Sequence, residues 1–570
     1  MPYTSQRNIQ ILISLLKQHG IRKVIASPGA MNINLNGSLQ NDGSFEIFSC
    51  VDERSAAYMA CGMAQESGEP VILTCTGATA SRNYAPALTE AFYNKVPVLA
   101  ITAAQHAGRT GHNIPQVLDR TVQFNDLVKK SVQIPEVNTP ADEWGCMTQI
   151  NDALLELKHN GGGPVHINLV TSLDASFNVK ELPKSRKINR IELRDTFPEI
   201  KGSVCVFIGN HTKINKELES EIDEFCEKYN AAVLCDMTSN YYGKYRISGN
   251  IVCDQDYYDL PIKNVGTLIH LGNISGSYMF THPNEVYRVN PDGVLRDTYQ
   301  KLTNIFEMEE IDFFKKYNSL RKDTIRTTHY SEWKNEENEL FEKINYSEIP
   351  FSNIWVAQET MNRIPEESNI HLGILNSLRS WNYCNSNKKL YATSNTGGFG
   401  IDGPLSTTIG ASLCNPKKNY YCFVGDLAFF YDLNSLGNRH IGKNLRIMLI
   451  NNGCGTEFHN YNHYAHIMDD DQIGKYVAAD GHFGNKSDRL IRDYAENLGF
   501  KYLRASSKEE FLENVEEFVS DNSDSSIIFE IFTDSDDESA ALKYIRNLKS
   551  NMSGNAKKTL SKIAKVIKRN

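Results

Sequence analysis

Short apolar runs recur along this chain, each closing on a turn residue and each separated from the next by a stretch with helical patterning. In the first third they occupy 23–26, 71–75, 96–101 and 165–169; in the middle, 204–209 and 267–272; in the last third, 390–394, 420–425, 445–450 and 526–531. Runs that are apolar throughout, rather than alternating, are buried on both faces, and their separation by helices calls for parallel sheets covered on each side. The expectation is an α/β protein of three consecutive α/β domains with mostly parallel sheets, at 1–185, 186–345 and 346–545, followed by a basic tail at 546–570. A polar, basic linker at 184–194 opens the central domain, and a charged, helix-prone stretch at 307–347 closes it.

A chain of 570 residues is too long for one hydrophobic core. Its 41% hydrophobic and 23% charged residues are those of an ordinary globular protein. No run approaches the roughly 18 apolar residues of a membrane span, and the start lacks a basic region followed by an apolar one. A cytoplasmic location is expected. The 12 cysteines form no CxxC pair, which suits reduced thiols rather than disulfides or a thiolate metal site. A net charge of −9 gives no reason to expect a nucleic-acid partner. Residues 543–570, however, hold nine Lys/Arg and no acid, with Leu560, Ile563 and Ile567 at helical spacing. A solvated tail is the favoured reading; contact with an anionic membrane or an acidic protein is the alternative.

The chemistry-bearing motif is Gly425-Asp426-Leu427-Ala428, closing 26 residues later on Asn451-Asn452. Asp426 ends an apolar strand and opens a loop toward a helix expected at 431–438, and Asn452 ends the next strand. A carboxylate and an amide oxygen thus stand side by side, with the Cys454 carbonyl as a third oxygen. Hard oxygen ligands of this kind suit Mg²⁺ completed by phosphate oxygens and water, and amide donors at the helix start suit a diphosphate. Strand-end Asp and Asn also occur as plain turn residues.

This motif is similar to the cofactor signature of thiamine-diphosphate-dependent enzymes, and its wording most resembles the menaquinone-pathway synthases, the MenD branch. Further matches follow in the same order: Ser27-Pro28-Gly29, Asp52-Glu53-Arg54-Ser55-Ala56, Gly163-Pro164-Val165-His166, Asn376-Ser377, and the stretch from Ser394-Asn395 to Ile401-Asp402-Gly403-Pro404. The resemblance implies a pyrimidine-binding first domain, a central domain without catalytic groups, a diphosphate-binding third domain, and a homodimer or dimer of dimers with the cofactor between subunits. It implies that Gly425, Asp426, Leu427, Ala428, Asn452, Asn376 and Ser377 hold thiamine diphosphate. Mg²⁺ falls to Asp426, Asn452 and Cys454, and Ile401, with Phe399 as rival, wedges the cofactor rings together. Glu53 becomes the acid that polarises the pyrimidine ring, a role that burial would favour by raising its pKa; the plain alternative is a helix N-terminal acid. No GxGxxG follows a central strand, so FAD is not expected.

The substrate pocket departs from that branch. Cations of the family are replaced by Met31 beside Ala30, by Gln105, by Trp381 and by Thr396, and on a weaker match by Ser277. Losing several Arg–carboxylate contacts removes the basis for a 2-oxo diacid donor and a polyanionic acceptor. A pyruvate-like 2-oxo acid donor and an unidentified acceptor fit better. His112, Gln116 and Glu457 are the candidate proton relays, with His106 and His459 behind them; Arg109 and Arg379 are candidates to restore charge. Carboligation is the expected reaction, with simple 2-oxo acid decarboxylation and a catalytically silent cofactor-binding paralogue as alternatives.

Overall fold

The computed structural model describes residues 2–277, 280–324, 327–385, 388–482 and 487–567. The chain forms two compact units, one of residues 1–191 with 293–305, the other of 192–292 with 306–570. Ile563 and Ile567 of the tail pattern have side chains outside the described set.

The first unit is built on six parallel strands ordered Glu46–Ser49, Lys23–Ala26, Val71–Cys75, Val98–Ala104, Val165–Val170 and Lys130–Ile134. Val71–Cys75 is buried at every residue, as an unbroken apolar run between two helical layers requires. Two strands of this sheet were not among the apolar runs. Glu46–Ser49 is an exposed edge strand, and Lys130–Ile134 alternates polar and apolar residues at the other edge. Helices Arg7–Gln18 and Pro140–Glu156 pack together on one face. On the other, Glu53–Ser67 and Ala85–Tyr93 present Ala56, Ala57, Ala60, Ala87 and Ala91 to the strands.

The second unit carries two sheets. The first includes parallel strands ordered Arg246–Ser248, Ala232–Cys235, Val204–Ile208, Asn264–Leu271 and His282–Val289. The 307–347 stretch folds as helices Glu310–Leu320 and His329–Glu342. The other sheet has six parallel strands ordered Tyr391–Thr393, Asn369–Leu372, Tyr420–Gly425, Leu445–Asn451, Ile527–Phe532 and Lys501–Ala505. The mixed α/β class with parallel sheets flanked by helices is therefore the observed one.

Two local expectations need correction. The helix placed at 431–438 begins at once on the strand end, as Asp426–Asp432, and continues as a 3-10 turn Leu433–Gly437. Extended Gly425 at φ −77° already turns the chain, so no loop intervenes. The tail is not simply solvated at its start. Its helix Met552–Ile567 docks through Lys557 on Asp259 (2.7 Å) and Lys558 on Asp256 (3.2 Å), and Gly554 lies so close to the Tyr257 carbonyl that a Cβ would stand 2.1 Å from the oxygen.

Candidate active site

In the first unit the motif residues gather at the C-terminal ends of the parallel strands, where open α/β sheets place their ligands. Ser27-Pro28-Gly29 follows Lys23–Ala26, and Thr76-Gly77 follows Val71–Cys75. A Cβ on Gly29 would fall 2.4 Å from Thr76 Cβ, so glycine lets the two strand ends close on each other. Ala30 is exposed, whereas the Met31 side chain is buried and its amide donates to Thr76 Oγ1 at 3.3 Å. Met31 occupies core, not an open wall.

Glu53 starts the helix Glu53–Ser67, whose N-cap Asp52 accepts from the Ser55 amide. Its carboxylate is half-buried and accepts from Asn83 Nδ2 at 3.4 Å. The burial expected of this acid is thus not supplied by its own chain. Val51, two residues before it, is 80% exposed, and on the outer side of the helix Tyr58 is 47% and Met59 45% exposed. His112 and Gln116 are exposed on the 105–120 loop, with Gln116 at φ +64°. Gln105 is held by Arg109, whose Nη1 donates to Oε1 at 2.7 Å, and His106 folds back to accept from the Gly108 amide. No hydrogen bond joins His112 or Gln116 to Glu53.

In the second unit the ends of adjacent strands Tyr420–Gly425 and Leu445–Asn451 do bring Asp426 and the 452–454 loop together. Asp426 is 4% exposed. Burial pushes its carboxyl up to about 7 despite the backbone N–H groups of Leu427 and Gly453 that donate to it; Glu530 nearby adds to the rise. No Lys or Arg makes an ion pair with Asp426 among the described residues. A buried carboxylate with no cationic partner, beside the half-buried Asn452 amide, is the donor set a divalent cation complements. The residues present fit Mg²⁺ and the diphosphate it would carry. Gly453 makes the required turn at φ +76°. Cys454 is buried, its thiol pushed up to about 12 by that burial, so only its carbonyl suits a hard metal.

Glu457 lies in the turn Thr456–His459 directly after this loop and is not free. Arg379 grips it with two bonds, Nη1 to Oε2 at 2.6 Å and Nη2 to Oε1 at 2.9 Å. Asn376 Oδ1 accepts from the same Arg379 Nη1, and Asn460 Nδ2 bridges Asn376 and Glu457. Both oxygens of the Glu457 carboxylate are thus engaged by one guanidinium, which fixes Arg379 against the loop. Arg379 and Asn460 are the residues that complete this cluster; nothing in sequence spacing pointed to Asn460.

Two further candidates turn inward. Trp381 is 1% exposed, its ring centroid 4.3 Å from that of Phe423, and Thr396 is 1% exposed, its hydroxyl accepting from Asn210 Nδ2 at 2.8 Å. Ser377 is buried, Ile401 packs half-buried on the core around Phe429, and Phe399 is 39% exposed at φ +53°. His459 faces Asp480 at 3.8 Å, away from Glu457's clamp.

Comparison with known proteins places the chain. Residues 7–123 match the model of the thiamine pyrophosphate enzyme N-terminal TPP binding domain, and residues 376–531 that of the C-terminal TPP binding domain. The chain is 31% identical, over 96% of its length and 99% of the relative's, to a 2-succinyl-5-enolpyruvyl-6-hydroxy-3-cyclohexene-1-carboxylate synthase of Phocaeicola vulgatus. A synthase of the same name from Bacteroides thetaiotaomicron is 30% identical over 96% of this chain and all of that one, and one from Desulfotalea psychrophila 28% identical over 77% and 84%.

Proposed function

The chain belongs to the thiamine-diphosphate-dependent enzymes, in the branch of the 2-succinyl-5-enolpyruvyl-6-hydroxy-3-cyclohexene-1-carboxylate synthases, and from that premise we propose that it is a Mg²⁺-dependent carboligase taking a pyruvate-like 2-oxo acid as donor. The observation that carries this reading is the pair of strand-end carboxylates: half-exposed Glu53 on one parallel sheet and buried, cation-less Asp426 beside the 452–454 loop on the other.

When bound, thiamine diphosphate supplies a nucleophilic carbon for the 2-oxo group and takes up the charge left as carbon dioxide departs. Asp426, Asn452 and the Cys454 carbonyl would hold Mg²⁺. Glu53 would hold a proton at Oε1 or Oε2 against the pyrimidine once a partner surface excludes water from it, since loss of solvent favours the protonated carboxyl. The exposed Tyr58 and Met59, about one and a half turns along the same helix on its outer side, with open space over Gly62, offer a second copy of the chain an apolar face on this helix. The Arg379–Glu457 clamp ties the helix Asn376–Asn382 to the metal loop and orients both.

The relatives' name denotes a product assembled with a succinyl group. Our preference for a smaller donor rests on sequence: Met31, Gln105, Trp381 and Thr396 stand where the resemblance leads the branch to carry cations, and none of them supplies a charge. The test is mass spectrometry of products formed by the purified chain with thiamine diphosphate, Mg²⁺ and either pyruvate or 2-oxoglutarate. Carbon dioxide release faster with pyruvate supports the reading; release with 2-oxoglutarate alone would return the chain to the donor its relatives' name suggests. Stoichiometric free aldehyde, unchanged by any acceptor, would make it a decarboxylase.

A further inference from the structure

A cavity of about 190 Å³ opens in the second unit beside the helix Asn376–Asn382. Measured against the ~30 Å³ that a water molecule occupies in the liquid, it has room for a molecule of a few carbons. Its wall includes Asn250, Asp254, Ser277, Arg379, Phe399 and Arg546. Arg379 links it to the metal loop, because the same guanidinium clamps Glu457 three residues past Cys454.

Two guanidinium groups would ordinarily mark an anion site. Here both already face carboxylates. Arg379 holds Glu457 through two bonds, and Arg546 Nη2 donates to Asp256 at 3.2 Å, a carboxylate shared with Lys558 at 3.2 Å. A third carboxylate, Asp254, stands on the wall and accepts from Asn250 Nδ2 at 2.9 Å and from the Tyr383 hydroxyl at 3.0 Å. Three cations thus face three carboxylates, and an incoming polyanion would have to displace Glu457 or Asp256 while meeting Asp254.

What the cavity lacks is of a different kind. Asn250 Oδ1, an acceptor, and Arg546 Nε, a donor, are both buried without a hydrogen-bond partner. Buried polar groups left unpaired are costly and are ordinarily satisfied by a ligand or water. Asn250 and Asp254 give the wall of this cavity an amide and a carboxylate, which hydroxyl groups, donating and accepting at once, complement. Ser277 Oγ, accepting from Asn250 Nδ2 at 2.8 Å and from Asn382 Nδ2 at 3.2 Å, adds a third polar group on the same wall. Leu375 at φ +63° and Phe399 at φ +53° also line the cavity, two bulky residues in a backbone region they rarely adopt, as occurs where a site is held in shape.

We propose that this cavity is the acceptor site and that it takes a neutral, hydroxyl-bearing aldehyde or ketone, not a polyanion; this rests on the carboligase reading above. The step balances without an oxidant. The bond from the donor's acyl carbon to its carboxylate breaks, releasing carbon dioxide. The electron pair left on the acyl carbon forms the new bond to the acceptor's carbonyl carbon, and the acceptor oxygen takes one proton to become a hydroxyl. The product is a 2-hydroxy ketone.

The experiment uses the holoenzyme with pyruvate and compares D-erythrose, neutral and hydroxylated, with succinic semialdehyde, an anionic aldehyde of the same carbon number. Binding of D-erythrose is also followed by saturation-transfer NMR, which needs no turnover. The expected result is a kcat/KM at least tenfold higher for D-erythrose. In Asn250→Leu the KM for D-erythrose rises at least tenfold, kcat falls less and the NMR signal weakens, while the melting temperature stays within a few degrees. In Asp254→Asn discrimination against succinic semialdehyde narrows. Preference for succinic semialdehyde, or D-erythrose binding unaffected by Asn250→Leu in a folded variant, overturns the proposal. If D-erythrose binds through Asn250 but no 2-oxo acid loses carbon dioxide, the site stands and the carboligase reading falls.

Discussion

The first unit's sheet and the second sheet of the other unit have the same strand order when each is numbered from its own first strand: 2-1-3-4-6-5. They place opposite kinds of acid at their C-terminal ends. The first sets Glu53 after an exposed edge strand, half in solvent, on a segment that also exposes Val51, Tyr58 and Met59. The other sets Asp426 after a central strand, 4% exposed and pushed up to about 7 by burial. One topology thus yields a half-exposed acid on one sheet and a buried acid on the other. Position in the sheet decides which, because a central strand end is walled by neighbours and an edge strand end is not.

The largest effects are expected from exchanging these environments. Asp426→Ala removes the proposed cation ligand, and thiamine diphosphate should fail to bind in calorimetry at concentrations that saturate the parent chain. Glu53→Gln should do the reverse, with cofactor affinity within a few-fold but turnover lower by about 10²–10⁴, the range of a lost general acid–base. If both variants lose cofactor binding equally, the distinction between the two sheets collapses. Next in size, Tyr58→Glu puts a charge on the apolar face. Sedimentation velocity should show monomer in place of dimer, with activity lost in parallel. A dimeric variant would remove the second copy as the cover of Glu53.

Trp381→Ala tests whether that residue is core. Loss of about 3–5 kcal/mol in chemical denaturation is expected, as for a large buried aromatic, and a surface role would cost far less. The smallest effects concern a buried histidine in each sheet. Burial pulls His166 down to about 3 and His371 down to about 4. A histidine whose folded pKa lies below its unfolded value contributes stability above pH 6.5 that is lost as pH falls through the folded value. Each therefore costs up to about 3 kcal/mol by pH 4. His166 has both ring nitrogens engaged, by Thr102 at 2.8 Å and Ser131 at 2.9 Å, whereas His371 has only Nδ1 on Thr393 at 2.9 Å. Asn substitution should flatten the melting temperature between pH 4 and 6.5 in both, with the greater loss at neutral pH for His166.

Central strands such as Val71–Cys75 were legible because an unbroken apolar run has few other destinations, and the edge strand Tyr391–Thr393 was legible within the run 390–394. The central strand Asn369–Leu372 was missed because Asn369 and His371 interrupt its apolar run. Edge strands such as Glu46–Ser49 and Lys501–Ala505 were also missed, since their residues answer to solvent on one side. The strand-end motif pointed to Asp426 and Asn452 because adjacent parallel strands leave little choice of neighbour. Glu457 was identified as a titratable group, but its partner Arg379 lies 78 residues earlier, a separation at which spacing carries no information. Asn250, Asp254 and Arg546 carry no motif at all; only folding brings them onto one wall. Trp381 and Thr396 read as pocket residues because the sequence marks a position along the chain and not the side to which a short helix or loop turns its side chain.

The most direct test is carbon dioxide release from pyruvate by purified Glu53→Gln, with thiamine diphosphate and Mg²⁺ binding followed in parallel by calorimetry. The parent chain is predicted to release carbon dioxide, and the variant to bind both ligands while releasing it at least a hundredfold more slowly. A variant that binds both and turns over at the parent rate would contradict the assignment.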